Sequence, residues 1–241
     1  MAKKEFPELK GDFAPKGDID FGQPLAKKSG ISNKISGKVS DFSNTIFGVI
    51  KLILGICLLP FVYSSTVALL REFGLVEKVA QDYFWLGVNT FLVIYLFIWE
   101  PQVVYLKGQK LLEIIFSFFK PLVKVAPYLL PIYTIVLFVV YGILGPIIKS
   151  AEFNKYAIFL IGLSFILHLA FSAKTIQGKK GDPFKATYIF GFSFVYIVDL
   201  VILAFCFNLI FKEFSFVSFF NNASAIGKNI FYAGFKQLFL R

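Results

Sequence analysis

The sequence predicts an all-α fold: a polytopic membrane helical bundle of five transmembrane helices flanked by amphipathic interfacial helices. Three observations predict it. Hydrophobic residues make up 57% of the chain and charged residues 17%, against about 45–50% and about a quarter in soluble domains. The apolar residues, 32 Phe among them, come in long blocks rather than the alternating or one-sided patterns of a soluble core. Finally, the stretch from Trp99 to Ile148 shows both ways in which a helix can meet lipid. Its first half carries Lys110, Glu113, Ser117, Lys120 and Lys124 at steps of 3, 4, 3 and 4, a narrow polar stripe on an otherwise apolar helix lying in the interface. Its second half, after Pro127 and Pro131, has no charge as far as Ile148 and is apolar enough to cross.

In chain order, residues 1–45 hold eight lysines and six acids with few large apolar groups, the composition of a largely disordered tail. The tail is too long and too mixed in charge for the front of a cleaved secretion signal, so the first helix is expected to be retained. Near its end Ile31, Ile35, Val39 and Phe42 share one helical face, which predicts a short amphipathic helix over 31–45. Five apolar blocks follow, at 46–70, 84–106, 126–148, 156–173 and 186–211, with the interfacial helix at 108–125 between the second and third. Each block has about the length needed for the hydrocarbon layer. Lys and Arg outside the blocks number eight in the tail, then two, four, two and four in successive loops. By the positive-inside rule the N-terminus is cytoplasmic and the C-terminus lies on the opposite side, of a bacterial inner membrane or an organelle membrane. Residues 212–241 read as an amphipathic surface helix, with Asn222, Asn229 and Lys236 opposite Phe219, Ile226 and Ile230. They are also long enough for a sixth span.

Several chemistries lack their residues. A single histidine cannot supply a two-histidine zinc motif or a multi-histidine haem site. There is no phosphate-binding Gly-rich loop ending in Gly-Lys-Ser/Thr and no Gly-x-Ser-x-Gly turn. No catalytic residue, metal or cofactor is therefore expected. Cys57 and Cys206 fall inside apolar blocks and read as small packing groups. The formal charge of +10 resides on lysines beside apolar blocks, among them Lys110, Lys120, Lys124, Lys179 and Lys180. This points to anionic lipid rather than nucleic acid.

The candidate sites are the ionisable residues within spans, since charge in hydrocarbon is costly and faces a partner or water. Lys51, Glu100 and His168 fall at one depth near the cytoplasmic face, about 8–9 Å down. Lys51 and Glu100 either pair, with His168 alongside, or snorkel separately to the headgroups. Pro101 after Glu100 either frees backbone carbonyls for a ligand or simply ends the helix. Asp199 lies about 20 Å deep, near the midplane, beyond snorkelling range. It is expected to be protonated or hydrogen-bonded, with Tyr95 and Tyr141 as partners by depth and Tyr196 one helical step away on its own helix, either as a protonatable site or as a structural tie. Two functions follow. The first is a non-catalytic integral membrane subunit or scaffold packing against lipid and other membrane subunits or itself. The second is a small proton-coupled transporter or channel using Asp199.

Overall fold

The computed structural model describes the backbone of residues 30–98, 101–118, 126, 128–177 and 186–239, and side chains within those ranges for 46–97, 101–118, 126, 128–177 and 188–237. The chain divides into an N-terminal unit, Met1–Phe42, and a main unit, Ser43–Arg241. The tail expected to be disordered lies outside the described residues up to position 29, and the backbone is helical from Gly30. Seven α-helices are delimited among the described residues: α1 Gly30–Phe73, α2 Lys78–Val93 continued by a π turn at Ile94–Ile98, α3 Gln102–Ile115, α4 Ile132–Ile148, α5 Ala151–Gln177, α6 Ala186–Ile210 and α7 Phe216–Phe239. The described residues contain no strand.

The fold is thus an all-helical one that suits a membrane bundle, but the five expected spans are corrected. Among the described residues, three helical stretches are long and apolar enough to cross: Ile46–Phe73, Ala151–Gln177 and Tyr188–Ile210. The block expected at 84–106 is broken: Lys78–Phe97 and Gln102–Ile115 meet at 119°, and counting that bent pair as one span would make four. Pro101 is the cause. It has no N–H to continue a preceding helix and stands at the N-cap of α3, where a missing donor costs nothing. The helix expected at 108–125 is corrected to Gln102–Ile115, followed by a turn at 116–118, and residues 119–125 lie outside the described residues. The block expected at 126–148 is reduced to Ile132–Ile148, because Pro131 takes the N-cap position of α4. The remaining 17 residues reach about 25 Å at 1.5 Å each, short of the roughly 30 Å hydrocarbon layer. The 24-residue helix α7 is not among the apolar crossing helices, so the sixth-span alternative also falls.

Helix α5 is the centre of the main unit. Against it α2 packs closely enough that Gly87 and Gly162 have no room for a side chain: a Cβ on Gly87 would strike the Phe159 carbonyl, and one on Gly162 the Phe84 carbonyl. Small residues allow this backbone approach between apolar helices. On another side α5 packs against α4, from which it returns antiparallel after the short turn at Lys149, which caps α4 in the left-handed conformation and donates its N–H to the Gly145 carbonyl at 3.1 Å. Helix α6 closes the bundle, and its Phe207 is the hub of an aromatic cluster. Phe207 stacks on Phe73 at 4.8 Å between centroids and meets Phe84, Phe138 and Phe214 edge-on at 5.5, 5.8 and 5.6 Å. These geometries suit the ring quadrupole.

Helix α7 turns back after a short link in which Asn208 Oδ1 accepts from the Phe216 N–H and Ser215 Oγ from the Ser218 N–H, satisfying donors at the new helix start. It packs on α1 through Phe231 on Phe61, with Gly227 against Phe61 and Ser64. The stripe expected to face water is in part an inward contact, since Asn222 Nδ2 donates to Glu72 Oε1 of α1 at 3.1 Å.

Candidate functional site, a buried histidine and aspartate pair

Asp199 stands midway along α6 with 0% exposure, and His168 on α5 is 5% exposed. The pairing of the two helices brings His168 Nε2 to 3.5 Å from Asp199 Oδ2. The same nitrogen lies 3.2 Å from Ser172 Oγ, one helical turn further along α5. Ser172 Oγ also lies 3.3 Å from the Tyr105 hydroxyl of α3 and donates to the Tyr128 carbonyl at 3.3 Å. Four side chains from three helices therefore form one polar line, Asp199, His168, Ser172 and Tyr105, inside an apolar bundle.

The donor count assigns the protons. A serine hydroxyl has one hydrogen and a backbone carbonyl only accepts. With the Ser172 proton on the Tyr128 carbonyl, Tyr105 O–H and His168 Nε2–H both donate to Ser172 Oγ. Nε2 is then the protonated ring nitrogen, and its hydrogen lies between Ser172 and Asp199. Neither Asp199 oxygen, however, has a hydrogen-bond partner. A fully buried acid without one is uncommon, because an unmet polar group in a low-dielectric interior costs about 1–3 kcal/mol.

Beside His168 is a small cavity of about 10 Å³, lined among others by Tyr105, Gln109, Tyr133 and Ser164, about the room one water needs. Its walls are held by two further contacts. Tyr133 O–H donates to the Val104 carbonyl at 2.6 Å, fixing α3 to α4, and Thr134 Oγ1 lies 3.0 Å from Ser164 Oγ, joining α4 to α5. Gln109 and Thr175, both half-buried, flank the Tyr105 hydroxyl. In the other direction along α6 the surroundings are hydrocarbon: Leu203, Ala204 and Phe207 are all buried.

Of the residues singled out by sequence, His168 and Asp199 are thus brought together. The three tyrosines expected as partners of Asp199 are not, and each is satisfied elsewhere. Tyr196 lies 3.0 Å from Thr66 Oγ1 on α1. Tyr95 stacks on Phe91 and meets Phe171 edge-on. Tyr141 stacks on Phe153. Equal depth alone does not bring Tyr95 and Tyr141 onto the helix face that meets Asp199, and Tyr196, though one helical step from Asp199, bonds to α1 instead. Lys51 is exposed on α1 and Lys110 on α3. Glu100, Lys120, Lys124, Lys179 and Lys180 lie outside the described residues. Cys57 is exposed and Cys206 buried, both as free thiols.

Sequence reasoning passed over Ser172, Tyr105 and Glu72. Ser172 had a usable signal, being four residues after His168 and hence on its face. Tyr105 had none, since its position follows from the break at Pro101. Glu72, 6% exposed, lies just past the expected end of the first span. Comparison of this chain with protein-family models, characterised proteins and solved structures finds no match.

Proposed function

We propose that this chain is a non-catalytic integral membrane subunit that packs against partner membrane proteins and lipid. The observation that carries the reading is the uneven cover of its crossing helices. The apolar core of Ala151–Gln177 is 61% buried within the chain, that of Ile46–Phe73 only 11%. Helix α1 therefore offers Ile53, Ile56, Leu59 and Tyr63 outward, and in a membrane that flank is met by lipid or another helix. The amphipathic helix α3 and the C-terminal α7 add lysines beside exposed apolar residues, Lys110 near Ile114 and Lys228 near Phe231, a pattern suited to anionic headgroups. On this reading the N-terminus is cytoplasmic, the C-terminus lies across the membrane, and nucleic acid is not a partner. Purification from the native membrane in mild detergent tests it. A partner protein, or a second copy, in fixed stoichiometry is expected; a lone monomer through every detergent tried would contradict it.

The pair at the bundle centre favours a second reading, a small proton-coupled transporter or channel with Asp199 as the protonatable group. An acid at this depth is rare without a use, and the cavity beside it has space for a water but not for a larger solute. The proton itself would then be the species moved. Flux in vesicles that Asp199→Asn abolishes would support it; flux indifferent to that change would remove it.

A further inference from the structure

We propose that His168 and Asp199 form a site that takes up one proton, with access only through Ser172 and Tyr105 from the end of the bundle where α5 terminates. The proposal rests on the site invoked by the second reading but not on transport: a protein that binds a proton from one side need not release it to the other.

Three observations carry it. Both Asp199 oxygens are without a hydrogen-bond partner at full burial. His168 Nε2 stands between Asp199 Oδ2 at 3.5 Å and Ser172 Oγ at 3.2 Å, so one nitrogen faces both the acceptor and the relay. The polar line reaches half-buried Gln109 and Thr175 beyond Tyr105, whereas the opposite direction along α6 is closed by Leu203, Ala204 and Phe207. Other titratable or polar groups on the elements packed here are engaged elsewhere: Tyr133 of α4 on the Val104 carbonyl, Thr134 of α4 on Ser164, Tyr95 beyond α2 among phenylalanines, and Tyr196 of α6 on Thr66.

The uptake step balances as a relay. In one concerted shift, the His168 Nε2–H bond breaks as an O–H bond forms on Asp199 Oδ2, the Ser172 hydroxyl swings from the Tyr128 carbonyl and gives its proton to Nε2, and Tyr105 gives its proton to Ser172 Oγ while a proton from water at the Gln109 and Thr175 end restores the tyrosine. One proton has entered, the carboxylate has become a carboxylic acid, and His168, Ser172 and Tyr105 each carry one exchangeable hydrogen as before, though not the one they passed on.

Because the chain has one histidine, ring-nitrogen magnetic resonance of histidine-labelled full-length protein in phosphatidylcholine and phosphatidylglycerol vesicles reports His168 alone. Infrared difference spectra of the same sample report a protonated carboxyl. Stepping the pH should move the His168 signal and a carboxyl band together, the band disappearing in Asp199→Asn. In a pH jump, Ser172→Ala and Tyr105→Phe should slow the band by at least about tenfold at unchanged final amplitude, a modest share of what positioned proton transfer contributes. Tyr141→Phe, away from the line, should not. A His168 signal and carboxyl spectrum fixed across the pH range in the unaltered protein would overturn the site, whether or not any variant folds. Normal rates in both relay variants would overturn the route. Loss of vesicle flux alone would overturn only transport.

Discussion

Placing a methyl group on Gly162 tests the packing that holds the site together. Its Cβ would meet the Phe84 carbonyl oxygen, with the carbonyl carbon at 3.1 Å and the Phe84 ring at 3.2 Å. Two of the three obstacles are backbone, which cannot rotate aside, so α2 and α5 must separate. A gap of about 0.5–1 Å forfeits about a quarter to a half of each dispersion contact along a seam. This seam includes Ala80, Phe84 and Val88 clustered with Ile158, Ile161 and Phe165, and Phe91 clustered with Leu167 and Phe171. The loss, set against the usual overpacking cost, puts Gly162→Ala at about 2–3 kcal/mol. Gly87→Ala meets the Phe159 carbonyl carbon at 2.9 Å and the Leu163 nitrogen at 3.0 Å and should cost as much. The two should be less than additive, since one separation relieves both. Gly142→Ala is the control: nothing lies within 4 Å of its Cβ, and alanine favours a helix over glycine by about 1 kcal/mol. Reversible unfolding of the three variants in mixed micelles measures this. If Gly162→Ala were as stable as Gly142→Ala, the close crossing of α2 and α5 would be wrong.

Other expectations follow from single contacts. His168 Nε2 and Asp199 Oδ2 face each other at 3.5 Å, so the double variant His168→Leu, Asp199→Leu should be more stable than the sum of the two single losses predicts, by about 1 kcal/mol in a double-mutant cycle; strict additivity would mean the side chains do not interact. Asn222→Ala leaves the Glu72 carboxylate without the donor at 3.1 Å, at a cost of about 1–3 kcal/mol, and α7 should become cleavable by added protease before the rest of the protein. Asn222→Ser, if its shorter hydroxyl reaches, should protect more than alanine, and equal protection throughout would remove the contact. Tyr196→Phe loses only the bond to Thr66 and should cost about 0.6 kcal/mol, the usual value for such bonds in membranes.

How far the sequence could be read depends on which force sets each feature. Apolar content and block length are local properties, so a helical class that suits a membrane is legible in the sequence, as is the rarity of Asp199 and His168 as polar groups among apolar neighbours. Span number was less so. Pro101 and Pro131 were visible, but whether a proline bends a helix, ends it or starts the next depends on what packs around it. Pairing His168 with Asp199 failed for a related reason. Depths were counted from the expected span end at 173, whereas α5 runs to Gln177, which puts His168 about 6 Å deeper at 1.5 Å per residue and within reach of Asp199. Tyr105 was out of reach because the 119° turn that carries it over α5 is a tertiary event. The polar stripe of α7 was seen, yet periodicity cannot tell a face turned to water from one satisfied by a buried Glu72.

The account depends most on lipid being the medium around Ile46–Phe73, Ala151–Gln177 and Tyr188–Ile210. The direct measurement is to wash membranes containing the full-length chain in alkaline carbonate and then dilute the solubilised protein out of detergent. Retention in the washed pellet and aggregation on detergent removal are predicted. Release into the wash, with a monodisperse species persisting in plain buffer, would contradict it.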